Sequence, residues 1–155
     1  MRNDTSNTAG IGGQYLTFKV YGELYGVEIL KVREIICLLP ITPLPHSPPH
    51  VMGVINLRGR VIPVTDLRTR FGMPPQEATR ESCIIVVEVP DEAGATTMGL
   101  IVDEVAEVSD ISEEMTSAAP RLGGSVESEC LLGVGRIEDR VILLLDIAEA
   151  LRRSE

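Results

Sequence analysis

Aromatic side chains make up only 3 % of this sequence, and tryptophan is absent. A core without large rings has to be filled by Val, Ile and Leu, a composition that favours strands. Cations are also short: 14 Lys and Arg against 23 Asp and Glu give a formal net charge of −9. DNA, RNA and anionic lipid select basic surfaces, so this balance argues against all three as the main partner. An OB-like nucleic-acid binder would also need an aromatic-studded face. No run approaches the roughly 20 apolar residues of a spanning helix, and Met1–Tyr15 contain no apolar signal core. The expectation is a soluble chain without a standard export signal. The three cysteines, Cys37, Cys83 and Cys130, are odd in number, lack CxxC spacing and each sit in an apolar run. They read as buried thiols in a reducing compartment rather than a zinc site or disulfide framework.

Catalytic groupings are missing too. The only histidines, His46 and His50, flank Ser47-Pro48-Pro49, and prolines interrupt the helical face that a metal pair at this spacing would need. Ser47 beside His46 has no orienting acid, so it is no nucleophile pair. Gly123-Gly124 and Gly133-Val134-Gly135 lack the strand–turn–helix setting of a phosphate-cradling loop. Asp103-Glu104 and Glu113-Glu114 read as solvent-facing carboxylates. The sequence points to a non-enzyme with no metal or cofactor.

What is present is a repeat. Gly53–Leu57 and Arg60–Val64 are apolar strands around Arg58-Gly59, and Gly59 tolerates the positive φ of a tight hairpin turn. Asp66 is placed to cap a short helix, Leu67–Phe71, which Gly72 can end. Eighty positions later Gly133-Val134, Arg140-Val141-Ile142 and Asp146-Ile147 repeat the pattern. Tyr25-Gly26-Val27 likewise resembles Met98-Gly99-Leu100, each after a strand-like run (Tyr15–Tyr21, Cys83–Val89). Two copies are too few for a solenoid. Two small β-barrels sharing a core fit 155 residues better.

In chain order, Met1–Gly13 is expected to be a disordered tail. Tyr15–Tyr21 alternates as a half-buried strand. Leu30–Lys31 reads as a helical turn before a strand over Val32–Leu39. Pro40–Pro49 cannot pair along its length, and Ser47-Pro48 predicts one helical turn over Pro48–Met52. Met73–Glu81 is a loop, and Cys83–Val89 a strand buried on both faces. Pro90–Ala95 is a turn, Thr97–Val102 pairs back, and Val105, Val108 and Ile111 extend it. Ser112–Glu129 is the longest loop. Cys130–Ile137 and Arg140–Leu145 form the second hairpin, and Asp146 caps a helix to Arg153. A subdomain boundary falls near residues 72–82, with strand exchange left open.

Glu34 and Arg58 stand out as charges within or beside apolar strands. They could project into solvent or pair side by side beside an apolar groove. Val32, Ile35, Ile36 and Leu38 cannot all face one core in a strand, which leaves one face for a partner.

In their order, Gly26-Val27-Glu28-Ile29-Leu30, Val32-Arg33-Glu34-Ile35, Gly53-Val54-Ile55-Asn56-Leu57-Arg58-Gly59 and Pro63-Val64-Thr65-Asp66-Leu67-Arg68 resemble the CheW chemotaxis coupling proteins. Gly99–Asp103, Ala119-Pro120 and Asp139–Ile147 fit that family's second half. The resemblance spans about Gln14 to Leu151. It implies a mainly β fold of two SH3-like barrels packed together, with short helices including a C-terminal one. It further implies a cytoplasmic adaptor of two-component signalling, sited at membrane-associated receptor arrays. There it would join chemoreceptor tips to the regulatory domain of the histidine kinase CheA, without inserting into the membrane. The receptor's helical hairpin would dock between the barrels. By this resemblance Val32, Glu34, Ile35 and Arg58, with Cys83 and Gly99, are receptor-side residues. The kinase contact falls near Ile41–Met52, on Ile41, Leu44, Val51 and Met52. The chain has no room for the kinase's ATP-binding domain or the receiver domain of CheV proteins, so a free-standing adaptor is expected. A coupling protein for pili-based motility is the alternative, and self-association into array rings is left open.

Overall fold

Among the described residues, the apolar runs separated by turn residues become eleven strands in two sheets, with two single-turn α-helices. A computed structural model describes residues 10–47, 51–74, 76–92, 94–118 and 130–151. In order these hold β1 (Gly13–Val20), β2 (Glu23–Glu28), a 3-10 turn (Ile29–Lys31), β3 (Val32–Cys37), β4 (Val51–Leu57), β5 (Arg60–Asp66) and α1 (Leu67–Arg70). Next come β6 (Cys83–Asp91), β7 (Gly94–Val102), β8 (Glu104–Ile111), a 3-10 turn (Glu113–Met115) and β9 (Thr116–Ser117). Last are β10 (Leu131–Ile137), β11 (Arg140–Leu145) and α2 (Ile147–Ala150).

One sheet has the order β8-β1-β2-β11-β10-β9 and the other β3-β6-β7-β5-β4. Each sheet therefore takes its first hairpin from one copy of the repeat and its second from the other. The join is parallel and alike in both: Val64 and Thr65 lie against Gly99 and Leu100, as Leu143 and Leu144 lie against Tyr25 and Gly26. The loop around residues 72–82 joins β5 to β6 within the five-stranded sheet.

Local chemistry explains the turns. Arg58 and Gly59 both take positive φ (54° and 87°), the backbone twist that suits a two-residue hairpin, and Gly59 N–H donates to Asn56 Oδ1 at 2.8 Å. Asp66 Oδ1 accepts from Arg68 N–H at 3.0 Å, and Asp146 Oδ1 from Glu149 N–H at 3.4 Å. Burial raises the Asp66 pKa above the ordinary carboxylate value, opposed by that hydrogen bond and by the Arg68 guanidinium. After β3, and again after β8, the chain crosses to the opposite edge of the same sheet. Ser117 and Thr116 pair with Val134 and Gly135 in one sheet, whereas a lone bridge joins Thr42 to Val54 in the other. Pro43, without an N–H, cannot extend that ladder.

The core has three parts. Ile55, Ile62, Val64, Ile84 and Val86 fill the five-stranded sheet's own interior, and Tyr15, Ile111, Ile142 and Leu144 fill the other. Between the sheets lies a shared cluster that includes Phe18, Tyr25, Ile85, Val87, Leu100, Leu67 and Ile147. The aliphatic-only expectation is corrected here. Tyr15, Phe18 and Tyr25 are among the largest fully buried side chains, and Phe18, Tyr25 and Phe71 stack in sequence with centroids 5.9 Å apart. Tyr15 and Thr17 are buried, so β1 is covered on both faces there rather than half-buried. Tyr15 Oη donates to Ile11 O at 2.6 Å, and burial, helped by the Glu28 and Glu113 carboxylates, pushes its pKa up to about 12.

A charged junction ties α1 to the other sheet. Arg68, buried beneath the Tyr21 ring, donates from Nε to Asp103 Oδ1 at 3.1 Å and forms an ion pair with that carboxylate through Nη2. Asp103 Oδ2 also accepts from Tyr21 N–H at 2.7 Å. Asp103 is thus a structural hub, not a solvent-facing carboxylate. Arg70 Nε donates to Ala150 O at 3.0 Å, satisfying a carbonyl at the end of α2.

Other expectations are adjusted. Val51 and Met52 open β4 instead of ending a helical turn, because Val51 is in register with Thr65; residues 48–50 lie outside the described range. Gly13 opens β1 and Ile11 is buried, while Gly10 and Gly12 N–H donate to Glu113 Oε2; the rest of the expected tail is not described. Residues 90–95 are mostly strand, with Pro90 in register with Ala95. Helix α2 ends at Ala150, short of the expected Arg153, whose residue is not described. Most of the loop expected over Ser112–Glu129 also lies outside the description, its first residues forming the 3-10 turn and β9.

Candidate functional site

Strand β3 is an edge strand, and one irregularity decides what it presents. The register skips between Val32 and Glu34, placing Val32, Ile35 and Cys37 opposite Val87, Ile85 and Cys83. Directly opposed residues share a sheet face, so these apolar side chains line the side toward the shared core. Ile35 remains 45 % exposed there. Glu34 and Ile36 oppose Val86 and Ile84 and face the sheet's own interior.

Glu34 is met at the sheet mouth by Arg58, whose Nη2 donates to Glu34 Oε2. The Arg58 and Glu34 side chains are 69 % and 33 % exposed, so the pair contacts solvent and is not a buried charge pair. It links edge strand β3 to the hairpin turn of the opposite edge, closing the sheet on itself. Around it an opening of about 340 Å³ is lined by Arg33, Glu34, Arg58, Arg60, Val86 and Thr97. Arg33 pairs with Glu88 at 3.2 Å, and Arg60 Nη2 donates to Thr97 Oγ1 at 3.3 Å.

The other receptor-side candidates divide. Cys83 is half-buried against Val105, and burial raises its thiol pKa. Gly99 is buried in β7, where an added Cβ would come within 2.9 Å of Ile84 Cγ2. It offers no surface, so its substitution acts on packing. The buried-thiol expectation holds for Cys130 and fails for Cys37, which is exposed because β3 is an edge.

Ile41, Leu44, Val51 and Met52 lie on or beside the first part of β4 in the same sheet. The Thr42–Val54 bridge carries the 41–44 segment to β4. Leu44 and Met52 are exposed, while Ile41 is half-buried against the sheet interior.

The sequence reading did not mark several apolar residues as exposed, Leu30 and Val61 being the most exposed of them. Leu30, 94 % exposed, sits on the 3-10 turn, and nothing in its flanks marks it. Val61, 69 % exposed, could have been found, since it alternates with buried Ile62 in the hairpin. Among the described residues no cluster of three His, Cys, Asp or Glu could hold a metal, and no helix is long and apolar enough to cross a membrane. His46 is exposed and His50 lies outside the description.

Residues 14–155 match the CheW-like domain family model. The chemotaxis protein CheW of Rhizobium meliloti is 35 % identical over 147 residues, covering 95 % of this chain and 92 % of that protein. The probable chemotaxis protein CheW of Rhizobium etli is 33 % identical over 142 residues, covering 92 % and 89 %. Among solved structures, the scaffolding protein TtCheW from Thermoanaerobacter tengcongensis superposes with a TM-score of 0.77 at 33 % identity, covering 87 % of this chain and 89 % of that one. Sequence and solved neighbour agree, and this chain belongs to the CheW family of non-enzymatic chemotaxis scaffolds.

Proposed function

We propose that this chain couples chemoreceptor cytoplasmic tips to the histidine kinase CheA, by holding both at once at two separate places on its five-stranded sheet. The observation that carries the reading is the separation of two exposed apolar surfaces. Val32, Ile35 and Cys83 lie at the β3 and β6 side, flanked by the Glu34–Arg58 pair. Leu44, Val51 and Met52 lie at the start of β4, the opposite end of that strand from the Arg58 turn. An adaptor needs two surfaces that do not compete, and these meet that need. The receptor tip takes the first and the regulatory domain of CheA the second, in the cytoplasm at receptor arrays. Signal then passes as a shift between two states of the docked assembly, which requires contacts that differ between them. The relatives carry chemotaxis names, so no observation favours a pili-based pathway.

The test is capture of the purified chain by a receptor signalling fragment and by a CheA regulatory domain, singly and together. Binding to both at once is expected. Val32→Asp places a charge in the apolar surface and should weaken receptor capture at least tenfold while leaving kinase capture near wild type. Met52→Asp should do the reverse. Equal loss of both partners in a folded variant, or no binding of either by the wild type, overturns the assignment.

A further inference from the structure

The last residue of β3 and the first of β6 are both cysteines, and they are register partners: Cys37 opposes Cys83. Opposed residues of antiparallel strands have Cα atoms about 4.5–5.5 Å apart and project to the same face. A disulfide requires a Cα separation of about 4.4–6.8 Å, so either type of antiparallel pair satisfies it. Both residues sit at strand ends, and β3 is an edge, so small adjustments meet no neighbouring strand on that side. Cys37 is exposed and Cys83 half-buried behind it, which gives the pair one thiol open to solvent and one held in reserve.

Packing alone does not call for two thiols here. The other sheet is built the same way, and its corresponding opposed pair, at the end of β8 and the start of β1, is Asp110 and Gln14. A polar pair fills that place without disturbing the strands. Cys130 is buried in the shared core and belongs to neither strand.

We infer that Cys37 and Cys83 form an oxidation site, a cross-strand dithiol that takes hydrogen peroxide as co-substrate and closes to a disulfide. The Cys37 thiolate attacks the peroxide O–O bond, forming a sulfenic acid and releasing one water once the leaving oxygen is protonated. The Cys83 thiolate attacks the sulfenic sulfur, forming the S–S bond and releasing a second water. Two thiols are oxidised by two electrons and one peroxide is reduced. The closed form pins the free end of β3 to β6 and removes both thiols from the exposed face. The inference stands whichever partner that face takes. Burial raises the Cys83 pKa, which fits it to the resolving rather than the attacking role.

The experiment treats the reduced chain with hydrogen peroxide, quenches, denatures, alkylates with iodoacetamide, and reads intact mass and peptide map. The wild type should remain a monomer, lose two hydrogens, take one alkyl group in place of three, and yield a peptide joining Cys37 to Cys83 that dithiothreitol releases. Cys37→Ser, a change at an exposed position, should give no joined peptide and should keep Cys83 alkylatable. Alkylation of both Cys37 and Cys83 after oxidation, a dimer through Cys37, over-oxidation of Cys37 without a bridge, or a bridge to Cys130 would each overturn the inference.

Discussion

The two sheets answer one construction problem twice, and their differences are more informative than their likeness. In each, an edge strand carries a glutamate after a register irregularity, Glu34 on β3 and Glu107 on β8. An arginine from the opposite hairpin reaches it: Arg58 in the five-stranded sheet and Arg140, at 3.4 Å, in the six-stranded one. Gly53 and Gly133 admit the crossing segment, since an added Cβ would lie 2.1 Å from Thr42 O or 2.6 Å from Ser117 O. Asp66 and Asp146 cap matching helices. Closing a small sheet demands these parts. The contrasts are elsewhere: Arg68 against Ala148, and Cys37–Cys83 against Asp110–Gln14. Features that only one sheet carries are where partner specificity can reside.

Breaking the one unpaired junction should have the largest effect. Arg68→Ala removes the buried cation from Asp103 and should cost about 3 kcal/mol, a fall in Tm of roughly 6–12 °C by calorimetry. A cost below about 1 kcal/mol would mean the shared apolar core alone holds the sheets together. Next come the crossings. Gly53→Ala should cost about 2–3 kcal/mol and Gly133→Ala about 1–2 by urea unfolding. Position 53 is the worse because its φ of 149° adds strain and its obstacles are all backbone. Equal costs would undo that distinction.

Smaller effects sharpen the comparison. Arg58→Ala and Arg140→Ala should each change stability by under about 1 kcal/mol, because both pairs are solvent-exposed. Only Arg58→Ala should also reduce receptor capture. A matching loss with Arg140→Ala would make closure, rather than the β3 surface, the requirement. The smallest effect is confined to alkaline pH. The folded Tyr15 holds its proton up to about pH 12 whereas the unfolded phenol releases it around its ordinary value of 10.0. Its contribution is therefore complete below pH 10 and is lost progressively as pH rises toward 12. Tyr15→Phe should flatten that part of the stability profile, and absorbance titration should show one tyrosine ionising late.

Much of this was readable from residues whose conformational demands are local. Gly59 and Asp66 fix a turn and a cap whatever surrounds them, and both hairpins and both caps lie where the sequence indicated. The Glu34–Arg58 contact was legible as one of two options because charges in apolar strands need solvent or a partner. The exchange of hairpins between repeat copies was not, since the parallel contact of β2 with β11 joins residues that carry no local pairing signal. Cys37 in an apolar run looked buried because hydrophobicity does not say which strand becomes an edge. Val51 and Met52 followed the ladder with β5 over the local preference of Ser47-Pro48 for a helical turn. The few aromatics were misjudged because abundance does not report position: Phe18, Tyr25 and Phe71 go between the two sheets and Tyr15 into the interior of the six-stranded one.

The hairpin exchange also sets an order of events during synthesis. Strands β3 to β7 are contiguous in the chain, so the five-stranded sheet has all its members once Val102 has been made. Hairpin β1–β2 is translated before any of those five strands but has outer neighbours only in β8 and β11, both made after β7. A nascent chain therefore carries an early hairpin with two open edges, including buried-to-be Phe18 and Tyr25, through most of its elongation. The last strand laid beside it, β11, turns a waiting N-terminal segment into part of a finished barrel.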